Sequence, residues 1–476
     1  MLWKCYCRKG VETGVKRGGM FRLKTLMTSV SGVRGIVGDS LTPEVIVKYV
    51  NAFAQPLAGQ TVVVGGDPRV SQNFIRPLVK SVLLASGCDV IDIGITPTPT
   101  VEILTKRLKA AGGIAITASH NPIQWNGLKF IGPDGFFLPE GEISHLFQRA
   151  DYGTPHYVNW KDLGKEETYP RAIDEHLQLI YELPFINVDL IREKKFKVAL
   201  DCVNGAGGTI IPKLLEHLGC EMIGLNVEPT GVFAHTPEPV PQNLGDLSEA
   251  VTREKAHLGI AVDPDVDRCA IIGNDGKPIG EELTLALAVK FILSKRMGPV
   301  VVNLSTSRVI DDIVQYFNCI LYKTKVGEIN VSEKMREVNA VIGGEGNGGV
   351  ILPDIHHGRD AVVAVALTLQ HLAEWGGSLT ELVQTLPQYY ILKDKVPLGE
   401  VNPEKVLAYF SEKYQSENLD FTDGLRIDRS DSWIHLRKSN TEPIMRVIVE
   451  ARTPEISWQI LQQVKEEIVN LNKDEA

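Results

Sequence analysis

The chain has 476 residues, too many for one hydrophobic core, so about three to four domains are expected. A net charge of −9 excludes a general nucleic-acid binder, though not one local basic pocket for phosphate, and the 43% hydrophobic and 23% charged residues are those of a soluble globular protein. No apolar run approaches the ~20 residues of a membrane span, and seven scattered cysteines point to a reducing, cytoplasmic setting in which Cys88, Cys220 and Cys319 are small buried apolar residues.

Residues 1–27 are basic, lack periodicity and lack the apolar stretch of a signal peptide; they are expected to form a disordered extension, with Met20 and Met27 as alternative starts. One unit then occurs three times. TVVVGGDPRVSQNFIRPLVKSVLLASGCDVIDIG runs strand, Gly/Asp/Pro turn, amphipathic helix, strand; KVALDCVNGAGGTIIPKLLEHLGCEMIGLN and VVVNLSTSRVIDDIVQYFNCILYKTKVG repeat the plan. Strands alternating with single helices imply β-α-β units with parallel pairing. Toward the C-terminus GLRIDR, SWIHLRK and MRVIVEA are short, closely spaced strands of an expected antiparallel sheet, and ISWQILQQVKEEIVNL is an amphipathic helix with Thr453 as N-cap and Pro454 at its first position. The expected fold class is α/β with four domains, three related mixed α/β sheet domains (28–182, 183–282, 283–395) and a smaller C-terminal α+β domain (396–476), around a central cleft.

Four loops carry candidate chemistry. GGIAITASHNP ends an apolar strand on Ser119 and His120, at the strand end where α/β proteins place ligands. Ser119 lacks the flanking glycines of an esterase nucleophile elbow, which leaves a phosphate carrier or a Ser/Asn turn stopped by Pro122. His120 is placed to orient the serine, and Lys129 is a candidate general acid/base on condition that its surroundings lower its pKa. LGIAVDPDVDRCAIIG places Asp263, Asp265 and Asp267 at alternate positions after an apolar strand, so that three carboxylates share a face. Hard oxygen ligands without His or Cys suit Mg²⁺, and an EF-hand is excluded by Arg268 and Asn274 at the places of its glycine and glutamate. GGEGNGGVILPDIHHGRD lets backbone approach a ligand, with Glu345 as acceptor and Asn347 as amide for sugar hydroxyls, unless it is a plain Gly-rich turn. RKSNTEPIMR gathers Arg437, Ser439, Asn440, Thr441 and Arg446, a donor set suited to phosphate.

In kind and order these loops resemble the α-D-phosphohexomutase family from about residue 28 to the end: TASHNP is similar to its active-site serine loop, DPDVDR to its metal loop, GEGNGG to its sugar loop and RKSNTEP to its phosphate loop. SVSGVRGIVG resembles the family's N-terminal loop, with Arg34 facing the site, and KTKVGE resembles a further substrate loop containing Lys325 and Gly327. The resemblance implies a phosphoserine at Ser119, Mg²⁺ held by Ser119, Asp263, Asp265 and Asp267, and Lys129 and Arg268 assisting proton transfer and charge stabilisation. It implies transfer of phosphate between O6 and O1 of a hexose through a hexose 1,6-bisphosphate, a small-molecule hexose phosphate as partner with neither nucleic acid nor membrane, and a monomer or homodimer. Many members close the sugar loop with histidine where Gly349 stands here, with serine where Asn347 stands. That acid/base duty would fall to His356, His357 or Lys129. The GEGNGG form resembles the archaeal-type phosphoglucosamine mutases of the family, which favours an amino sugar over glucose or mannose. Two other readings stay open: a haloacid-dehalogenase-type phosphatase with Asp263 as nucleophile and Asp265 as acid/base, and a silent sugar-phosphate binder.

Overall fold

The computed structural model describes residues 25–398, 402–438 and 444–473. The expected extension lies outside these residues except for its last positions, and those are folded. Met27–Ser29 pairs antiparallel with Gly32–Ile36, and the Thr25 hydroxyl hydrogen-bonds with Asp39 and Ser40, both at 2.6 Å.

The three repeats are parallel β-α-β units. Thr61–Gly66 pairs with Asp89–Ile95 across the helix Gln72–Ala85, Lys197–Asp201 with Glu221–Leu225 across Gly207–His217, and Val300–Asn303 with Leu321–Thr324 across Val309–Tyr316. Each opening strand is apolar almost throughout (VVV, VAL, VVV) and buried, as a parallel strand covered on both faces requires. A third parallel strand lies on the other side of the first in each sheet: Gly112–Ile116, Leu258–Val262 and Ile342–Glu345. A fourth, Trp125–Ile131, Cys269–Ile272 or Gly349–Ile351, returns antiparallel beside it. All three sheets therefore share the order second-first-third-fourth, and the first is widened by short strands at both edges.

The last sheet is antiparallel throughout, in the order Tyr390–Pro397, Ile444–Ala451, Ser432–Lys438, Leu425–Asp428, Asn418–Asp420. The helices Pro403–Lys413 and Pro454–Lys473 pack on it through Val406, Phe410, Leu461, Val464 and Ile468. The second helix begins as expected, with the Ile456 N–H donating to Thr453 Oγ1 at 3.3 Å.

The apolar interior is divided unequally. The second and third sheets share one continuous cluster, from Leu200 and Ile260 through the helices Glu281–Lys295 and Ala361–Trp375 to Val302 and Ile342. The last domain has a core of its own and meets the third largely through polar contacts. Arg308 donates to Asp428 at 3.1 Å and to the carbonyls of Arg429 at 2.8 Å and Ser432 at 3.1 Å, while Ser305 Oγ meets His435 Nδ1 at 3.1 Å. Of the cysteines expected in the core, Cys88 is fully buried, but Cys220 and Cys319 precede their strands at the ends of helices and keep partial exposure. No helix among the described residues is long and apolar enough to cross a membrane.

A separate core predicts separate melting. Phe410→Ala, which empties a fully buried position in the last domain, should cost that domain ~3–5 kcal/mol. Scanning calorimetry should then resolve an early transition from an unchanged later one; a single transition shifted as a whole would contradict the division.

Candidate active site

Three of the four loops that carry candidate chemistry are hairpin connections between third and fourth strands, 117–124, 263–268 and 346–348; the fourth, between Ser432–Lys438 and Ile444–Ala451, lies outside the described residues. Ser439, Asn440 and Thr441 lie outside the described residues. The first three loops, with Arg437 and Arg446 from the strands flanking the fourth, meet at a cleft of about 500 Å³.

Ser119 sits in the left-handed region at φ 49°, a conformation uncommon for a residue with a Cβ, and something must hold it there. The GGDPR turn after the first strand supplies it. Arg69, fully buried, pairs with buried Asp67 at 3.1 Å and donates to four carbonyls of the serine loop: Ser119, Asn121 at 2.8 Å, Pro122 at 2.8 Å and Trp125 at 2.9 Å. Asp67 in turn accepts Thr117 Oγ1 at 2.5 Å, and Thr117 Oγ1 accepts the Ser119 N–H at 2.9 Å. Ser119 Oγ is thereby aimed at Asp263, donating to Oδ2 at 2.9 Å, with His120 Nδ1 at 3.3 Å. Arg268, then burial, push the His120 pKa well down, so its imidazole is neutral. Arg34, on the strand beside Trp125–Ile131, donates to Asn121 Oδ1 at 3.1 Å and faces the same cleft.

The three aspartates are completely buried, and one oxygen from each lies within 4.8 Å of the others. Each has one oxygen tied by the protein. Asp263 Oδ1 accepts the N–H groups of Asp267 and Arg268, both at 3.1 Å. Asp265 Oδ2 accepts Lys129 Nζ at 2.8 Å and Thr98 Oγ1 at 2.7 Å, and Asp267 Oδ2 accepts Arg359 Nη2 at 2.6 Å. Asp265 Oδ1 and Asp267 Oδ1 are left buried without a hydrogen-bond partner, with Arg268 Nε 3.7 Å from Asp267 Oδ1. Two orphaned carboxylate oxygens beside a third carboxylate and a hydroxyl are a donor set that fits Mg²⁺. Burial and the neighbouring Asp267 and Asp265 raise the Asp263 pKa well above the usual range, a repulsion that a divalent cation would relieve. Val266, at the tip of this loop, is β-branched at φ 62°, and is held there by the Ala361 N–H donating to its carbonyl at 3.0 Å.

Lys129 departs from expectation. Burial alone would lower its pKa, but Asp265 and Asp267 outweigh it and raise the ammonium above its ordinary value. With Asp265 Oδ2 at 2.8 Å and Asp267 Oδ2 at 3.6 Å it is a fixed cation here, not a base. His356 and His357 also fail as replacements for the missing histidine. His356 is buried away from the cleft between Glu102 at 3.1 Å and Asp360 at 3.3 Å, and His357 packs on the Phe136 ring. Lys325 is exposed and does not line the cleft.

On the sugar-loop side, Glu345 Oε1 accepts Asn303 Nδ2 at 2.7 Å and the Gly327 N–H at 3.0 Å, and Oε2 accepts Arg359 at 2.7 Å. Asn347 lines the cleft nearby. Gly348, at φ 85°, presses against the metal hairpin: a Cβ there would lie 2.3 Å from the Cys269 carbonyl oxygen, and its own carbonyl accepts the Cys269 N–H at 3.0 Å. Sequence reasoning missed Asp67, Arg69, Asn303, Glu328, Arg359 and Lys393, and also Glu238, whose carboxylate stands 3.8 Å from Arg268 and 3.9 Å from His120. An Asp-x-Arg after an apolar strand and an Asn at a strand end were the available signals.

Chains of this fold and site are α-D-phosphohexomutases, and this chain belongs to that family. It matches the phosphoglucomutase/phosphomannomutase α/β/α domain I over residues 26–154, domain II over 174–276, domain III over 280–390 and the C-terminal domain over 395–470. Among its relatives, a probable phosphoglucosamine mutase of Methanopyrus kandleri is 38% identical over 89% of this chain and 94% of that protein. A phosphoglucomutase/phosphomannomutase of Thermococcus kodakarensis is 36% identical over 90% and 96%. Of solved structures, a phosphoglucomutase/phosphomannomutase family protein of Burkholderia thailandensis superposes with a TM-score of 0.81 at 25% identity, covering 94% of this chain and 98% of that one. An Aspergillus fumigatus N-acetylphosphoglucosamine mutase solved with GlcNAc-6P and magnesium shares the fold at 14% identity, TM-score 0.58, covering 93% and 95%.

Two outcomes follow from the buried pairs. Arg69→Ala leaves the Asp67 carboxyl in the interior without its ion-pair partner and should cost ~3–5 kcal/mol in denaturant unfolding, while Asp67→Asn/Arg69→Met should recover part of that loss. His356 is lowered by burial but raised more by Asp360 and Glu102, to about 9. Its charged form is favoured in the folded state, so its contribution to stability is complete below the unfolded pKa of ~6.5 and is lost as pH rises through 9. Melting temperature of the wild type should fall across that window relative to His356→Gln; parallel curves would exclude this linkage.

Proposed function

We propose that the chain is a phosphoglucosamine mutase that interconverts glucosamine 6-phosphate and glucosamine 1-phosphate through a phosphoserine at Ser119 and a glucosamine 1,6-bisphosphate. The observation that carries the mechanism is the Ser119 hydroxyl, held on left-handed backbone 2.9 Å from Asp263 beside two carboxylate oxygens that make no hydrogen bond. The amino sugar is supported by relatives named probable phosphoglucosamine mutase, at 38% identity in Methanopyrus kandleri and 33% in Pyrococcus horikoshii. The unpaired state of the described cysteines supports a reducing, cytoplasmic setting.

In this reading the Ser119 Oγ–P bond breaks as a bond from phosphorus to the free sugar hydroxyl forms. Neutral His120, 3.3 Å from Ser119 Oγ, relays that hydroxyl's proton to the departing Ser119 oxygen and carries it back in the reverse half-reaction. Lys129, Arg268 and Arg34 remain cationic and face the charge spread over the phosphoryl oxygens. Mg²⁺ held by Asp263, Asp265, Asp267 and Ser119 would neutralise charge on the transferring group. Glu345 and Asn347 hold the sugar hydroxyls, with Glu345 oriented by the Gly327 N–H. Lys325, exposed, is left without a substrate contact. Arg437 and Arg446, with Ser439, Asn440 and Thr441, anchor the phosphate that is not reacting. Such an anchor reads phosphate and not the anomeric centre, so the bisphosphate binds equally well after turning end for end. The last domain, with its own core and a polar joint, moves to let it turn. A nucleophilic Asp263 is disfavoured, since both its oxygens are engaged, by backbone N–H groups and by Ser119.

The 36% identity to a phosphoglucomutase/phosphomannomutase favours a second reading with the same mechanism on glucose or mannose phosphates. Phosphorus-31 NMR with glucosamine 6-phosphate, Mg²⁺ and a trace of hexose 1,6-bisphosphate separates them. The 1-phosphate should appear and be lost in Ser119→Ala. Conversion of glucose or mannose phosphates alone would change the sugar, and free phosphate as main product would overturn the mutase.

A further inference from the structure

Gly349 closes the sugar loop, yet its backbone does not call for glycine, since its φ lies outside the left-handed region. The surrounding space does. A Cβ at this position would lie 2.3 Å from Arg359 Cδ, 3.0 Å from Arg359 Cγ and 3.0 Å from Asn347 Oδ1. The stem of Arg359 runs through the volume that any side chain at 349 would take. Its head then meets three carboxylates from different parts of the site. Nη2 reaches Asp267 of the metal loop at 2.6 Å, Nη1 reaches Glu345 of the sugar loop at 2.7 Å, and Nε stands 3.2 Å from Glu328. The Arg359 backbone N–H also donates to Glu328 Oε1 at 2.7 Å, which fixes the root of the side chain. Only a planar fork with donors pointing in several directions can hold two such carboxylates at once; an ammonium on a flexible stem can hold one well.

We infer that Arg359 is a positioning residue that sets the spacing between the metal loop and the sugar loop, and that Gly349 is glycine because Arg359 must pass over it. Arg359 engages Asp267 Oδ2 and so leaves Asp267 Oδ1, buried and without a hydrogen-bond partner, in a carboxylate that stands with the other two aspartates in one cluster. It engages Glu345 Oε2 and so holds that carboxylate over the cleft. Asp267 belongs to the second domain's hairpin and Glu345 to the third's, so one side chain ties the phosphoryl-transfer half of the site to the sugar half. The inference rests on the reading that Asp267 holds a divalent cation and Glu345 the sugar.

The test uses the full chain as wild type, Arg359→Lys, Arg359→Ala, Gly349→Ala and the Gly349→Ala/Arg359→Ala pair, with Mn²⁺ binding followed by electron paramagnetic resonance and kcat and KM measured separately. Arg359→Lys should bind Mn²⁺ about tenfold more weakly, as loss of a partner to a metal ligand does. It should also lower kcat and raise KM together, because both loops lose their register. Gly349→Ala should shift Mn²⁺ binding in the same direction by displacing the stem, and should add no further loss in the Arg359→Ala background, where Cγ and Cδ are gone. Gly349→Ala changes one methyl group, so it still decides the matter if Arg359→Ala fails to fold. Wild-type Mn²⁺ affinity and kcat in Arg359→Lys would overturn the inference, as would a loss from Gly349→Ala that adds fully to that of Arg359→Ala. A variant that melts earlier but binds Mn²⁺ normally while folded would reduce Arg359 to packing and also overturn it. If the wild type itself binds no Mn²⁺, the metal reading fails first.

Discussion

Three carboxylates buried within a few ångströms of one another are the constraint on which the rest of the structure depends. An uncompensated buried charge costs several kcal/mol, and three together repel as well. The protein meets this by bringing partners from different domains. Lys129 and Thr98 of the first domain bond Asp265, Arg359 of the third bonds Asp267, and backbone N–H groups of the loop itself bond Asp263. Each partner takes one oxygen and leaves the site short of positive charge at its centre. The same contacts that make the cluster tolerable also tie the first three domains to one another.

The repeated topology explains why the chemistry collects in one place. In each of the first three sheets the third strand ends on a loop that returns as an antiparallel fourth strand, and the loop stands at the carboxyl edge of the parallel strands, where α/β sheets bind ligands. Three copies of one plan thus present three loops with different residues: a hydroxyl, a set of acids and a set of glycines with an acid and an amide. The backbone is strained at the first two, at Ser119 and Val266, and the strain is sustained by buried neighbours, the Arg69–Asp67 pair in one case and the Ala361 N–H in the other.

Rigidity is distributed according to the cores. The second and third domains share one apolar interior, which holds the acidic hairpin of one against the Gly-rich hairpin of the other. The last domain stands on its own core and meets the third through polar contacts of Arg308, Ser305 and His435. Lys393, at the strand that enters this domain, bonds Glu281, reaches Glu282 at 2.9 Å and donates to the Gly346 carbonyl at 3.1 Å, so the joint lies directly against the sugar loop.

The sequence by itself determined the elements and the kinds of chemistry. Apolar runs broken by Gly and Asp turns are read directly as strands, and Ser119, Asp263, Asp265, Asp267, Glu345 and Arg437 stand in motifs whose donor types name their partners. What only the tertiary structure decided is how those groups meet. Periodicity is a local signal, and no local signal says that Arg69 will hold the serine loop from the turn after another strand, or that Arg359 will cross Gly349 to reach Asp267. The state of Lys129 is of the same kind: burial and two aspartates act on it in opposite directions, and their balance depends on distances set by a neighbouring domain. Charge and hydrogen bonding act through space between residues far apart in the chain, which is why residue types were legible in the sequence and their protonation, orientation and pairing were not.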